Sequence, residues 1–117
     1  MKTRILVIDD EPSLTRMVKL NLERSDAYEV YTENEGIKAI DAVRDFRPDL
    51  ILLDIMMPDK SGDDIAQELR DDPRLSSIPI IFLTALVTPD ETGAKASNIG
   101  GNTFLAKPVS ADDLVAV

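Results

Sequence analysis

Two adjacent acids, Asp9 and Asp10, directly follow the apolar run Arg4–Ile8, and a third, Asp54, directly follows Leu50–Leu53. A single aspartate ahead of a helix is an ordinary cap. A pair after one strand-like run and a third after another is poorly explained by capping, because open α/β sheets bind ligands where their strands end. If the two runs are neighbouring strands, three carboxylates meet at one rim. Like charges so placed repel unless a cation lies between them. Mg²⁺, or Mn²⁺, suits that position: it takes one or two carboxylates, keeps waters and leaves room for a phosphate oxygen. Glu11 is next in the chain, but with Pro12 behind it reads as a solvated first-turn acid. Thr84 and Lys107 end two further β-rich runs, Ile80–Leu83 and Thr103–Ala106. Alone, a threonine in a strand or a surface lysine says little. At the same rim they offer a hydroxyl donor and a fixed cation to an anion. This set suits phosphoryl transfer, which depends mostly on positioning and charge neutralisation. A carboxylate can accept the phosphoryl group as a mixed anhydride.

Composition narrows the alternatives. The chain has no histidine and no cysteine. That excludes Ser-His-Asp catalysis, His- or Cys-ligated zinc, an internal phosphohistidine and a disulfide framework, and leaves oxygen as the ligand for any metal. The formal net charge is −9, with no Lys/Arg stretch to track a phosphate backbone, so direct nucleic-acid binding by this chain is not expected. No apolar run approaches the roughly 20 residues of a membrane helix, and the start leads into a strand instead of a signal segment. The cytoplasm is the expected compartment.

The elements that would position these residues alternate in period. With 117 residues, 44% of them hydrophobic, the chain has the size of one ordinary domain and enough apolar side chains for a core. Besides the runs already named, Tyr28–Thr32 reads as a strand, and its mixed polarity suits an edge. Arg4–Ile8, Leu50–Leu53 and Ile80–Leu83 are nearly continuous apolar runs, as in strands covered on both faces. Between them, Leu14, Met17, Val18 and Leu22 fall at helical spacing, as do Ile37, Ile40, Val43 and Phe46. Residues Gly62 to Asp71 predict a third helix. Thr88 to Glu91 has the form of a capping box for a fourth, with Gly100 and Gly101 as its stop. Ser110 caps a fifth from Ala111 to Val117, too short to be secure alone, which implies that the natural domain continues beyond 117. Strand–helix alternation predicts a single α/β domain over 1–117, a parallel sheet with helices on both faces and right-handed crossovers.

Four stretches together resemble the response regulator receiver domain over the whole length: Ile5 to Glu11 with its acidic pair; Asp54 to Pro58 followed by Gly62; Thr84–Ala85; and Phe104 to Pro108. The resemblance implies a flavodoxin-like, doubly wound (βα)5 three-layer sandwich whose five-stranded parallel sheet has the order 2-1-3-4-5. It makes Asp54 the phosphoacceptor. Asp10, Asp54 and the backbone carbonyl of Met56 become metal ligands, with Asp9 assisting through water. It further implies that Lys107 contacts the phosphoryl group, that Thr84 and Phe104 act as the switch, and that Pro108 follows a cis peptide bond. The donor is then a phosphohistidine on a sensor histidine kinase or histidine phosphotransfer protein. Leu14, Met17, Pro108 and Val109 are the expected docking patch, although the first two also fit a core stripe. The output surface is the fourth helix, fifth strand and fifth helix, which can also pair two copies as a homodimer. Val109 stands where the family often has an aromatic, and Gly101 where it usually has alanine. Neither Met56 nor Leu86 carries an amide or acid to hold an attacking water, so slow loss of the phosphoryl group is expected.

Three other classes fit less well. A haloacid-dehalogenase-like phosphatase wants a second acid two residues after its nucleophile, which Asp9 with Glu11 imitates poorly. A flavodoxin-like cofactor binder wants a Ser/Thr/Gly-rich phosphate loop where this chain has Asp9, Asp10 and Glu11. A receiver-like module that is never phosphorylated has no need of Asp54, Thr84 and Lys107. The expected activity is that of a signalling phosphoacceptor that acts only on itself, not a turnover enzyme.

Overall fold

The structure, a computed structural model, describes residues 2–84, 96–99 and 102–106. Strands β1 (Thr3–Ile8), β2 (Tyr28–Glu33), β3 (Leu50–Asp54), β4 (Ile80–Thr84) and β6 (Asn102–Ala106) are parallel. Strand β5 (Ala96–Ile99) runs antiparallel to β6. The sheet order is β2-β1-β3-β4-β6-β5. The five expected strands thus keep the order 2-1-3-4-5, with one unexpected strand added at the edge.

Alternation along the central strands splits the core in two. Ile5 and Val7 of β1, Leu52 of β3, and Ile81 and Leu83 of β4 pack on one face with Val18 and Leu22 of α1 (Pro12–Glu23). Leu6 and Ile8, Ile51 and Leu53, and Phe82 pack on the other with Ala39 and Val43 of α2 (Ala39–Phe46) and Ile65, Ala66 and Leu69 of α3 (Gly62–Asp71). Both faces of β1 and β3 are therefore dry, which explains their unbroken apolar sequence. At its free edge among the described residues, β2 has the mixed polarity expected there.

One detail decides between two readings the sequence left open, and two depart from it. Met17 is 39% exposed, and the buried face of α1 is Thr15, Val18 and Leu22 instead. Ile37 is 64% exposed because a 3₁₀ turn, Gly36–Lys38, precedes α2. The tighter winding of that turn takes Ile37 out of phase with the helix stripe that follows. The predicted fourth helix fails over 96–99, which is strand. Ile99 pairs with Asn102 across Gly100 and Gly101, and a Gly-Gly pair between two strands is a hairpin signal as readily as a helix stop. The start of that helix at Thr88 and the fifth helix over 111–117 lie outside the described residues.

At the N-terminal end of the sheet, Arg4 fastens α2. Its backbone N–H donates to Asp49 Oδ2 at 2.8 Å, and its guanidinium sits 4.3 Å from the Phe46 ring centroid and donates to the Phe46 carbonyl. Asp72, just past α3, accepts the Arg74 backbone N–H at 2.9 Å and meets the Arg44 guanidinium of α2 at 3.4 Å. Those donors, the Arg74 N–H foremost, hold the Asp72 carboxyl below its ordinary range.

Two backbone positions restrict the residue that can occupy them. Arg47 closes α2 with φ 53°, a left-handed conformation that favours glycine, and does so directly before Pro48. Gly62 opens α3 against the end of β3. Its N–H donates to the Ile55 carbonyl at 2.8 Å, and a Cβ there would lie 2.3 Å from the Asp54 carbonyl oxygen. Backbone on both sides leaves little room to yield. Gly62→Ala is expected to lower the melting temperature by roughly 10 °C, the scale of core overpacking; an unchanged melt would show that α3 can shift. Arg47→Gly trades left-handed strain for unfolded-chain entropy, and thermal melts should rise by about 2–4 °C. A fall would mean the Arg47 side chain contributes more than its backbone costs.

Candidate functional site

The strand register creates the site. Ile8 of β1 pairs with Leu53 of β3, and Asp54 with Leu83 of β4. The chain therefore leaves β1, β3 and β4 at nearly one level, and Asp9, Asp54 and Thr84 each stand at the C-terminal limit of a neighbouring strand. Thr84 pairs with Ala106 of β6, so β6 ends at the same rim.

Asp9, Asp10 and Asp54 converge there. Each offers a carboxylate oxygen, and these oxygens lie within 4.8 Å of one another. Asp9 is fully buried and Asp54 4% exposed, while Asp10 is more open to solvent. Asp9 Oδ1 accepts the Glu11 backbone N–H at 3.0 Å, which closes the turn after β1 and directs the chain into α1, where Pro12 fits the first turn. Asp54 is held from below by packed β3, and from beside by the Ile55 N–H donating to the Leu83 carbonyl at 3.4 Å and by the glycine contact at Gly62. Among the described residues the side chains that converge offer carboxylate oxygens, and Asp10 is the one open to solvent. This donor set fits a hard, oxygen-coordinated divalent cation such as Mg²⁺ and not a thiolate or imidazole metal. Glu11 is exposed, as expected of a solvated first-turn acid.

The remaining sequence candidates are placed only in part. Met56 follows Asp54 by two residues with its side chain 67% exposed. Phe104, on β6, pairs in register with Phe82 of β4. Lys107, Pro108 and Val109, with Leu86, lie outside the described residues. On α1, Leu14 is half-buried against the core and Met17 is exposed, so the expected docking patch is partly available to a partner.

The sequence reading missed a polar layer beneath the acids. Asn34, one residue beyond β2, and buried Thr15 on α1 are hydrogen-bonded to each other at 3.0 Å. A clue was present: Asn34 leaves a strand predicted to neighbour β1, so it had to emerge beside Asp9. Asp59 also belongs to the surrounding loops, accepting the Ile37 backbone N–H at 3.2 Å and so linking the loop after β3 to the start of α2.

A family model described as the response regulator receiver domain matches residues 5–117. The DNA-binding response regulator MtrA of Mycolicibacterium smegmatis is 38% identical over 116 residues, covering 99% of this chain and 49% of that protein. The DNA-binding dual master transcriptional regulator RpaA of Synechocystis is 36% identical over 113 residues, covering 97% of this chain and 46% of that protein. The chain thus spans about half the length of these curated relatives. Among solved structures, the N-terminal domain of a response regulator receiver protein from Methanoculleus marisnigri superposes with TM-score 0.74 at 32% identity, covering 97% of this chain and 90% of that one. The chemotaxis protein CheY4 of Vibrio cholerae gives TM-score 0.79 at 28% identity, covering 99% and 95%. Matched along nearly its whole length, the chain belongs to the response regulator receiver domain family, the phosphoacceptor modules of two-component signalling.

Proposed function

We propose that Asp54 accepts a phosphoryl group from a phosphohistidine on a sensor histidine kinase or histidine phosphotransfer protein, at a Mg²⁺ site formed with Asp9, Asp10 and the Met56 backbone carbonyl. The observation that carries this reading is the convergence of three carboxylates from the ends of two adjacent strands. Family membership supports the phosphohistidine donor, and the chain's lack of histidine means the donor must come from outside.

In the proposed step an Asp54 carboxylate oxygen attacks phosphorus. The P–N bond to imidazole breaks, its electron pair leaves with the nitrogen, and the product is an acyl phosphate on Asp54. Bound Mg²⁺ would neutralise charge on the phosphoryl oxygens and on the carboxylates. Asp54 is suited to in-line attack because packed β3 fixes its backbone and the open rim admits the donor. Asp10, at the more open side, is the natural direct ligand. Asp9, one oxygen of which already holds the turn through Glu11, assists from behind. Thr84 and Lys107 supply a hydroxyl and a cation to the transferred group, with Pro108 setting the backbone after Lys107. The acyl phosphate carries about −2 where the carboxylate carried −1, a gain of roughly one negative charge, together with new acceptor oxygens. Drawing Thr84 toward them, with Phe104 turning inward, changes the surface around β6, which is read by an output partner or by a second copy.

The domain is a signalling phosphoacceptor, and its self-directed phosphotransfer is part of the proposal. The whole chain is read as one receiver unit. No described helix is long and apolar enough to cross a membrane, and family membership supports a cytoplasmic setting. The net charge of −9 argues against direct nucleic-acid contact by this stretch, whatever the unmatched parts of the longer DNA-binding relatives do.

With Mg²⁺ and a small acyl phosphate donor, intact mass should show one phosphoryl gain that is lost in Asp54→Asn. A gain that persists in the variant would sink the assignment. Met56 stands exposed beside the acids without a group to position water, so the phosphorylated state should be long-lived. Met56→Asn should speed its decay by about tenfold, the effect of orienting a nucleophile; an unchanged lifetime would exclude this position as a determinant.

A further inference from the structure

One neutral side chain ties down the turn that carries the acidic pair. The Asn34 amide nitrogen donates to the Asp9 backbone carbonyl at 2.8 Å and to Thr15 Oγ1 at 3.0 Å. Both of its N–H bonds are thereby used. The amide orientation follows from chemistry, since an oxygen in that place would face the Asp9 carbonyl oxygen. Thr15, 2% exposed, donates in turn to the Pro12 carbonyl at 3.1 Å. The turn after β1, the first turn of α1 and the loop after β2 are joined through this one amide.

Asn34 is itself anchored. The Glu33 carboxylate accepts the backbone N–H groups of Asn34 at 3.0 Å and Glu35 at 3.1 Å, and the Asp9 N–H donates to the Glu33 carbonyl at 3.1 Å. The amide thus reaches Asp9 from a loop that is already fixed. Its neutrality also matters. An acid at this position would add repulsion to a crowded set of carboxylates, and a lysine would compete with a metal for them. An amide supplies two donors and no charge.

We propose that Asn34 is a positioning residue for the cation site: by holding the Asp9 carbonyl it fixes the turn bearing Asp9 and Asp10, and so sets how tightly the acids bind a divalent cation. The inference rests on reading Asp9, Asp10 and Asp54 as a Mg²⁺ site. Residues behind the direct ligands typically change metal affinity 10–100-fold when removed, by roughly that range's lower end where the contact is to backbone.

The test is Mg²⁺ titration by calorimetry on the parent chain, Asn34→Ala and Asn34→Ser, with metal-free thermal melts of each. The serine hydroxyl is too short to reach both partners, so the two variants should behave alike. The Mg²⁺ Kd should rise by about tenfold, while the metal-free melting temperature falls by no more than about 8 °C, the worth of the two hydrogen bonds removed. A Kd within twofold of the parent in either folded variant overturns the proposal and leaves the Mg²⁺ site standing. A parent chain that binds no Mg²⁺ overturns the site reading, and this inference with it.

Discussion

Three carboxylates with oxygens within 4.8 Å of one another occupy the end of a sheet whose interior is closed to water. Two unit negative charges at that spacing repel by about 3 kcal/mol at an effective dielectric of 20. A lone pair of surface acids would swing apart. These cannot, because β1 and β3 are packed on both faces and paired to each other in a single register. A slip of one residue would turn Leu6, Ile8, Ile51 and Leu53 to the wrong core, so the register is pinned by burial. The fold therefore holds charge together at a cost that a divalent cation can relieve.

The same rigidity explains how much of the surrounding structure serves the rim. Close packing allows few continuous adjustments. The N-terminus of α3 presses on the Asp54 carbonyl at Gly62, where a methyl group has no space. The Asn34 amide holds the Asp9 carbonyl from the side of β2. The Asp59 carboxylate draws the loop after β3 toward the start of α2. Each contact comes from a different element, and all act within the rim's own loops. At the other end of the sheet the fastenings are of another kind: Arg4 stacked on Phe46, and Asp72 between Arg44 and Arg74. The exposed ion pairs there contribute little stability individually, while the stacking holds α2 where its buried face meets the sheet.

Legibility tracked burial. Strands β1, β3 and β4 were readable because two-sided burial demands continuous apolar residues, a signal that needs no partner to be interpreted. Helix α3 was readable from its stripe of Ile65, Ala66 and Leu69 and from Asp63 and Asp64 in its first turn, while its Ser61 cap, whose side chain accepts the Asp64 N–H at 3.2 Å, was not read. The stripe on α1 was half right. Val18 and Leu22 are core, but apolar Met17 is exposed and polar Thr15 is buried. Hydropathy ranked those two residues in the wrong order because Thr15 finds hydrogen-bond partners inside, which composition cannot show. Ile37 was misplaced for a different reason, since a 3₁₀ turn changes the phase of the chain without a distinctive sequence. Over 96–99 the glycines that end the segment fit two structures, and pairing with β6 selected the strand.

The sequence by itself determined the chemistry on offer: oxygen ligands only, acids directly after two strands, and no internal histidine to donate phosphate. It also determined which runs are the central strands β1, β3 and β4, because two-sided burial shows in each run locally. Only the tertiary structure decided which acids meet, how deeply Asp9 and Asp54 are buried against the more open Asp10, and that Asn34 and Thr15 stand behind them. Those facts depend on register and crossover, which bring together residues 9, 34 and 54 from three separate strand ends. No local period encodes that meeting; it follows from burying two faces of one sheet at once.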